Sequence, residues 1–165
     1  MEDGGATSRP ANGYERRPHG RRVAAVRADE IVELLGLAAH PEGGWYHEVW
    51  RDVPPSGGRG AGTAIYYLLR EGERSHWHRV DATEVWHYYD GGSLELLTSS
   101  DGVGVERHLL GPDLAAGERP QVVVARGAWQ AARPLGDWTL AGCTVSPAFE
   151  FTGFELAPRG WEPGA

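Results

Sequence analysis

The sequence predicts a small all-β domain, a sandwich or barrel of about ten short strands with one short helix in front. Three observations carry that prediction. The 165-residue chain holds 24 glycines and 11 prolines, punctuation that helical bundles avoid and turn-rich β-proteins need. From residue 43 onward, short runs rich in β-branched and aromatic residues alternate with turn signals such as Gly57 and Gly58, Glu71 and Gly72, Asp90 to Gly92, Asp101 and Gly102, and Gly136 and Asp137. A chain of this length has room for one domain with a real core and too little for two of ordinary size.

The elements follow in order. Residues 1–26 are rich in Gly, Arg, Pro and small polar residues and are expected to form a disordered arm. Residues 29–36 predict a helix capped by Asp29, with Ile31, Leu34 and Leu35 on one docking face and Gly36 at the left-handed stop. Strands are expected at 45–50, 63–69, 75–80, 84–89, 93–98, 103–109, 121–125, 128–132, 138–145 and 149–156. Residues 52–62 form a long flexible loop, either a lid or a connection free to vary in length. Residues 27–158 thus make one domain, and 159–165 a C-terminal tail.

Charge narrows the function. There is no lysine, so all 16 basic residues are arginine. Residues 1–27 carry a net +3, whereas residues 28–165 carry −10. An acidic body repels phosphates, which argues against a nucleic-acid partner. The basic stretch Arg16, Arg17, Arg21 and Arg22 is either a solvated tail or a contact for an anionic partner. Cys143 is the only cysteine, so no intrachain disulfide forms. The N-terminus has no apolar run of the secretory kind, and no stretch of about 18 apolar residues occurs anywhere, so the chain is expected in the cytoplasm, away from membranes.

The chemistry concentrates in residues 72–91. His76 and His78 are two apart, and on a regular strand side chains i and i+2 share a face. Glu84 opens the next strand, and if the two strands pair antiparallel its carboxylate reaches the same point. Two imidazoles and a carboxylate form a facial ligand set for a divalent transition metal such as Fe, Mn, Ni or Zn. A buried structural ion pair between His78 and Glu84 is the competing reading. Trp86 and Tyr88 share the Glu84 face, as pocket wall or as core, while His87 faces the other way. Tyr66 is either an inward hydroxyl acting as a general acid or a core residue. In residues 40–48 the adjacent Gly43 and Gly44 permit an unusual turn that would bring Glu42, Tyr46 and Glu48 to the pocket border. Arg51 and Arg79 are candidates to clamp a carboxylate or phosphate. Cys143 lies in an apolar strand and reads as a small core residue. Phosphate-loop, dinucleotide and nucleophile-elbow motifs are all missing from the sequence.

These residues carry a resemblance. Gly72, His76, His78, Glu84 and Gly91 resemble the first motif of the cupin superfamily, and Gly127 with Gln130 resembles the second, Gln130 standing where the fourth ligand would be. Residues 40–46, 63–66, 77–80, 84–87, 109–111, 121–124, 127–130 and 142–145, in that order, resemble the Cupin_5 (DUF985) family from about 29 to 157. The resemblance implies a cupin double-stranded β-helix, a jelly-roll barrel like that of dTDP-sugar epimerases of the RmlC type, in a family whose activity is largely unassigned. Gln130 is the usual residue there, while His76 is not always a histidine.

Three functions remain open at this stage. The first is an enzyme with one divalent metal held by His76, His78, Glu84 and Gln130, polarising a carbonyl- or carboxylate-bearing substrate. The second is a metal-free isomerase or epimerase with His78 as base, Glu84 orienting it, and Tyr66 or Tyr88 as acid. Gln130, Trp86, Tyr88, Arg79 and Glu48 would contact substrate in either case. The third is a non-catalytic small-ligand binder. Exposed strand edges and the many tryptophans suggest a homodimer.

Overall fold

A computed structural model describes residues 26–165. The Arg-rich stretch of the expected arm lies outside the described residues. Helix α1 (Ala28–Leu35) starts one residue before the expected helix, and its cap is Arg27, whose backbone N–H donates to the Glu30 carboxylate. Asp29 sits instead in the first turn and pairs with Arg70 at 3.0 Å. Gly36 ends the helix in the left-handed conformation, φ 62°, as its position predicts. The docking face is Ile31, Val32 and Leu35 packed on Leu68; Leu34 points to solvent, which corrects its expected place on that face.

The strands are β1 (Ala38–Ala39), β2 (Trp45–Arg51), β3 (Thr63–Arg70), β4 (Ser75–Val80), β5 (Thr83–Gly91), β6 (Leu94–Ser99), β7 (Glu106–Leu110), β8 (Gln121–Val124), β9 (Trp129–Pro134), β10 (Trp138–Ser146) and β11 (Phe154–Leu156), with a 3-10 turn at Phe151–Gly153. They form two antiparallel sheets, ordered β1-β2-β3-β10-β5-β8 and β11-β4-β9-β6-β7. The sheets face each other as a jelly roll, and inward residues from both make the core. One end of the interior is filled by Leu69, Leu94, Leu96, Leu110 and Val124 around Trp86.

One connection departs from the sequence reading. Residues 52–62 are tied down: Arg59 makes a two-pronged ion pair with Asp81 and also donates to the Ala148 carbonyl. Beyond β11 the chain packs along the outside of the five-stranded sheet. Trp161 rests 4.4 Å from Trp129 and 6.1 Å from Trp77 between ring centroids, and the Gly164 N–H reaches the Gly102 carbonyl. Burying three indoles there fixes the last residues to the barrel.

Candidate active site

The other end of the barrel is open, with a cavity of about 290 Å³. The expected pairing of β4 with β5 does not occur. β4 pairs with β9 and β11, β5 with β8 and β10, so His78 and Glu84 come from opposite sheets and both line the cavity.

The third member comes from the turn before β2. A side-chain carbon on Gly43, whose φ is 111°, would collide with the Arg74 carbonyl, and one on Gly44, φ 70°, would crowd Leu69 and the Leu68 carbonyl. Only glycine lets the chain pass this close to β3 and β4. That passage delivers the Glu42 carboxylate into the barrel, 6 % exposed, with one oxygen 3.2 Å from His78 Nε2 and the other accepting a hydrogen bond from Ser75 Oγ at 3.0 Å.

The same turn breaks the parity of β4. The Glu42 carbonyl takes the His76 N–H, and the register of β4 against β9 slips between Ser75 and His78. Across this bulge Ser75 and His78 both meet the buried Glu42, although they are three residues apart. His76 is exposed and lines an outer cleft with Arg74 and Arg159. The alternation rule therefore misplaces His76, because the strand is not regular where the rule was applied.

The His78 ring is held in one orientation. Its Nδ1 lies 2.8 Å from the His76 carbonyl, which can only accept, so Nδ1 carries the proton and Nε2 meets Glu42. Burial pushes the His78 imidazole below its ordinary range against the pull of the Glu84 charge. Burial likewise raises Glu42, with His40 and Ser75 acting the other way, and raises Glu84, with His78 opposing. His40 lines the cavity edge-on to Tyr46, 4.5 Å between centroids, and is also pushed down by burial.

Gln130 acts behind Glu84. Its side-chain N–H donates to Glu84 Oε2 at 2.5 Å, while its oxygen accepts the Trp86 indole N–H at 2.8 Å. With its oxygen turned to Trp86, the amide presents no donor atom to a metal. The expected ligand set is thus not assembled: His76 is outside and Gln130 is engaged. Among the described residues no group of three His, Cys, Asp or Glu side chains is arranged to hold a metal ion. The residues present do not fit the metal that the resemblance implied.

The remaining candidates separate cleanly. Tyr66 packs under α1 on the outer face of its sheet, and the inward hydroxyl is the neighbouring Tyr67, which donates to the Gly43 carbonyl at 2.6 Å. Trp86 is core and holds Gln130; Tyr88 packs on the core and donates to the Gly91 carbonyl. Arg79 lies outside the cavity, paired with Glu155 and stacked on Trp129. Glu48 lines the cavity, its two oxygens bound by Arg51 at 2.9 and 2.6 Å. His87 faces away and is satisfied by Thr144 and Gln121. Sequence reasoning missed His40, Tyr67 and Ser75. The alternation of β3 held the signal for Tyr67, since Ile65, Tyr67 and Leu69 face inward together. Ser75 needed the bulge, which no local pattern announces.

A two-sheet jelly roll with inward His, Glu and Gln side chains defines a protein of the cupin type. The chain belongs to the Cupin_5 family, described as Cupin superfamily (DUF985), whose family model matches residues 29–157. A Shewanella oneidensis protein of known crystal structure is 41% identical, covering 80% of this chain and 85% of that one, with a TM-score of 0.75. A hypothetical protein from Leishmania major is 29% identical over 82% of this chain and 90% of that one, with a TM-score of 0.74. Oxalate decarboxylase from Bacillus subtilis shares the fold, with a TM-score of 0.57 at 14% identity over 72% of this chain and 29% of that one. No curated protein matches the chain. Among the described residues, no helix is long and apolar enough to cross a membrane.

Proposed function

We propose that this protein is a small-molecule enzyme that relocates a proton within its substrate, an isomerase or epimerase of the cupin type. One observation carries the reading: His78 Nε2 lies 3.2 Å from a buried Glu42 oxygen at the wall of an open cavity whose opposite sheet presents Glu84. Acid–base catalysis needs two groups with displaced proton affinities on different sides of a reacting atom.

The roles follow from the hydrogen bonds. The His78–Glu42 pair shares one proton and is the donor. Glu84 is the acceptor, its carboxylate held by the Gln130 amide at Oε2 and by the Cys143 thiol. A C–H bond beside a carbonyl breaks, its proton goes to Glu84 and its electrons move into the carbonyl to give an enolate. The proton of the pair then forms the new C–H or O–H bond. Ser75 and the His76 carbonyl keep the donor in place, and Gln130 with Trp86 keep the acceptor in place. Glu42, not Glu84 as expected, thus stands beside His78.

The test is proton NMR of a panel of small ketones, aldehydes and sugars incubated with the protein in D2O. The expected result is loss of a signal beside the carbonyl, abolished by His78→Gln and by Glu84→Gln. Compounds that bind without any exchange would leave the chain a ligand-binding cupin.

A further inference from the structure

We propose that the cavity selects small molecules carrying a protonated amine and rejects those carrying a carboxylate or phosphate. The inference rests on the cavity being the substrate site and names the class of substrate it takes.

The charges that line the space decide it. Glu42, Glu48 and Glu84 are acidic, and Arg51 is the one arginine in the lining, with both oxygens of Glu48 already bound to it. Arg51 also donates to the Phe149 carbonyl, so its guanidinium is committed to the rim. The other basic groups are His40 and His78, which burial holds towards the neutral form. Cys143, also in the wall, is kept as a thiol by burial and by the nearby Glu84.

An anionic head group entering this space would lose its water and meet Glu84 with no free cation, since Arg51 is taken by Glu48, His78 shares its proton with Glu42, and burial disfavours the charged form of His40. An ammonium would meet carboxylates whose own burial it relieves, and its three N–H donors suit a wall rich in acceptors. Beyond the charged floor, Phe149, Phe151 and Phe154 make an edge-to-face cluster at the mouth, with centroids 5.1 to 6.2 Å apart. A ligand with an apolar or flat body and a cationic end fits that division. An ammonium also acidifies an adjacent C–H, which matches the proton transfer proposed above.

Three probes of matched shape test this: benzylammonium, benzyl alcohol and benzoate. Each is titrated into the full chain by NMR, following the ring signals of His40, His78 and Phe154. Benzylammonium should bind at least about tenfold more tightly than benzoate, with the alcohol between, as charge complementarity in a poorly solvated site requires. Glu84→Gln should weaken the ammonium and narrow the gap. Benzoate binding as well as or better than benzylammonium would overturn the inference and leave the proton-transfer reading intact. Selective ammonium binding in a protein that fails the D2O exchange test would support the inference and sink the catalytic reading. Failure of all three probes to move the cavity signals would overturn the inference, and the D2O exchange test would decide the proton-transfer reading separately.

Discussion

The two ends of the barrel interior lie between the same two sheets and do opposite things. At the closed end, Leu94 and Leu96 of β6 and Leu110 of β7 fill the space between the sheets with apolar atoms. At the open end, β4 and β5 present His78 and Glu84, and the Gly43–Gly44 turn adds Glu42. The closed end holds the sheets at a fixed separation. The open end uses that separation to keep ionisable groups buried and apart, which displaces their proton affinities. On the proposed function, stability and chemistry are separable along the barrel axis, and substitutions at each end should show it.

The largest effect is expected at the open end. His78→Gln should lower turnover by about 10²–10⁴-fold, the usual contribution of a positioned acid or base, while changing the melting temperature little. Steady-state rates beside calorimetry check the split, and a parallel loss of fold would break the comparison. Leu96→Ala should do the reverse. Leu96 is fully buried, so the truncation should cost about 2–5 kcal/mol of stability by denaturant titration, with rates kept in the folded fraction.

Glu84→Gln sharpens the comparison through pH. Folding raises the carboxyl above its ordinary value of 4.5. A group that holds its proton more tightly when folded favours folding most below its unfolded pKa, and that contribution is lost as pH rises through the folded pKa. The variant keeps a neutral amide at every pH, so its melting temperature relative to the parent should climb as pH rises from 4.5. A constant difference from pH 4 to pH 8 would contradict burial of an ionisable acid there. The smallest effect belongs to His76→Ala, which should alter stability by under about 0.5 kcal/mol and leave activity unchanged, because the side chain is exposed outside the barrel.

Much of the fold was legible in the sequence. The turn glycines and alternating runs place nine strands within about three residues of those observed; of the expected strand 149–156 only Phe154–Leu156 is extended, after the 3-10 turn, and the short β1 was not expected. The β5 alternation correctly turns Glu84 and Trp86 inward and His87 outward. The jelly-roll topology itself came from the resemblance. The site was half legible. The inward placement of His78 and Glu84 followed from strand spacing, and that of Gln130 from the resemblance. His76 and Tyr66 were misplaced for two separate reasons. At His76 a bulge defeats the period of two. At Tyr66 two tyrosines stand side by side, and composition alone does not say which faces the core. Glu42 was suspected only from its glycines, because its partner His78 is 36 residues away and in another sheet.

The proposed chemistry turns on which proton His78 keeps. Long-range proton–nitrogen NMR of protein labelled at the imidazole nitrogens reads that directly. The expected spectrum shows a protonated Nδ1, donating to the His76 carbonyl, and an Nε2 signal that changes with pH and moves when Glu42 is replaced by glutamine. A neutral ring protonated only at Nε2, indifferent to Glu42, would contradict the shared-proton pair and the proton-transfer chemistry built on it.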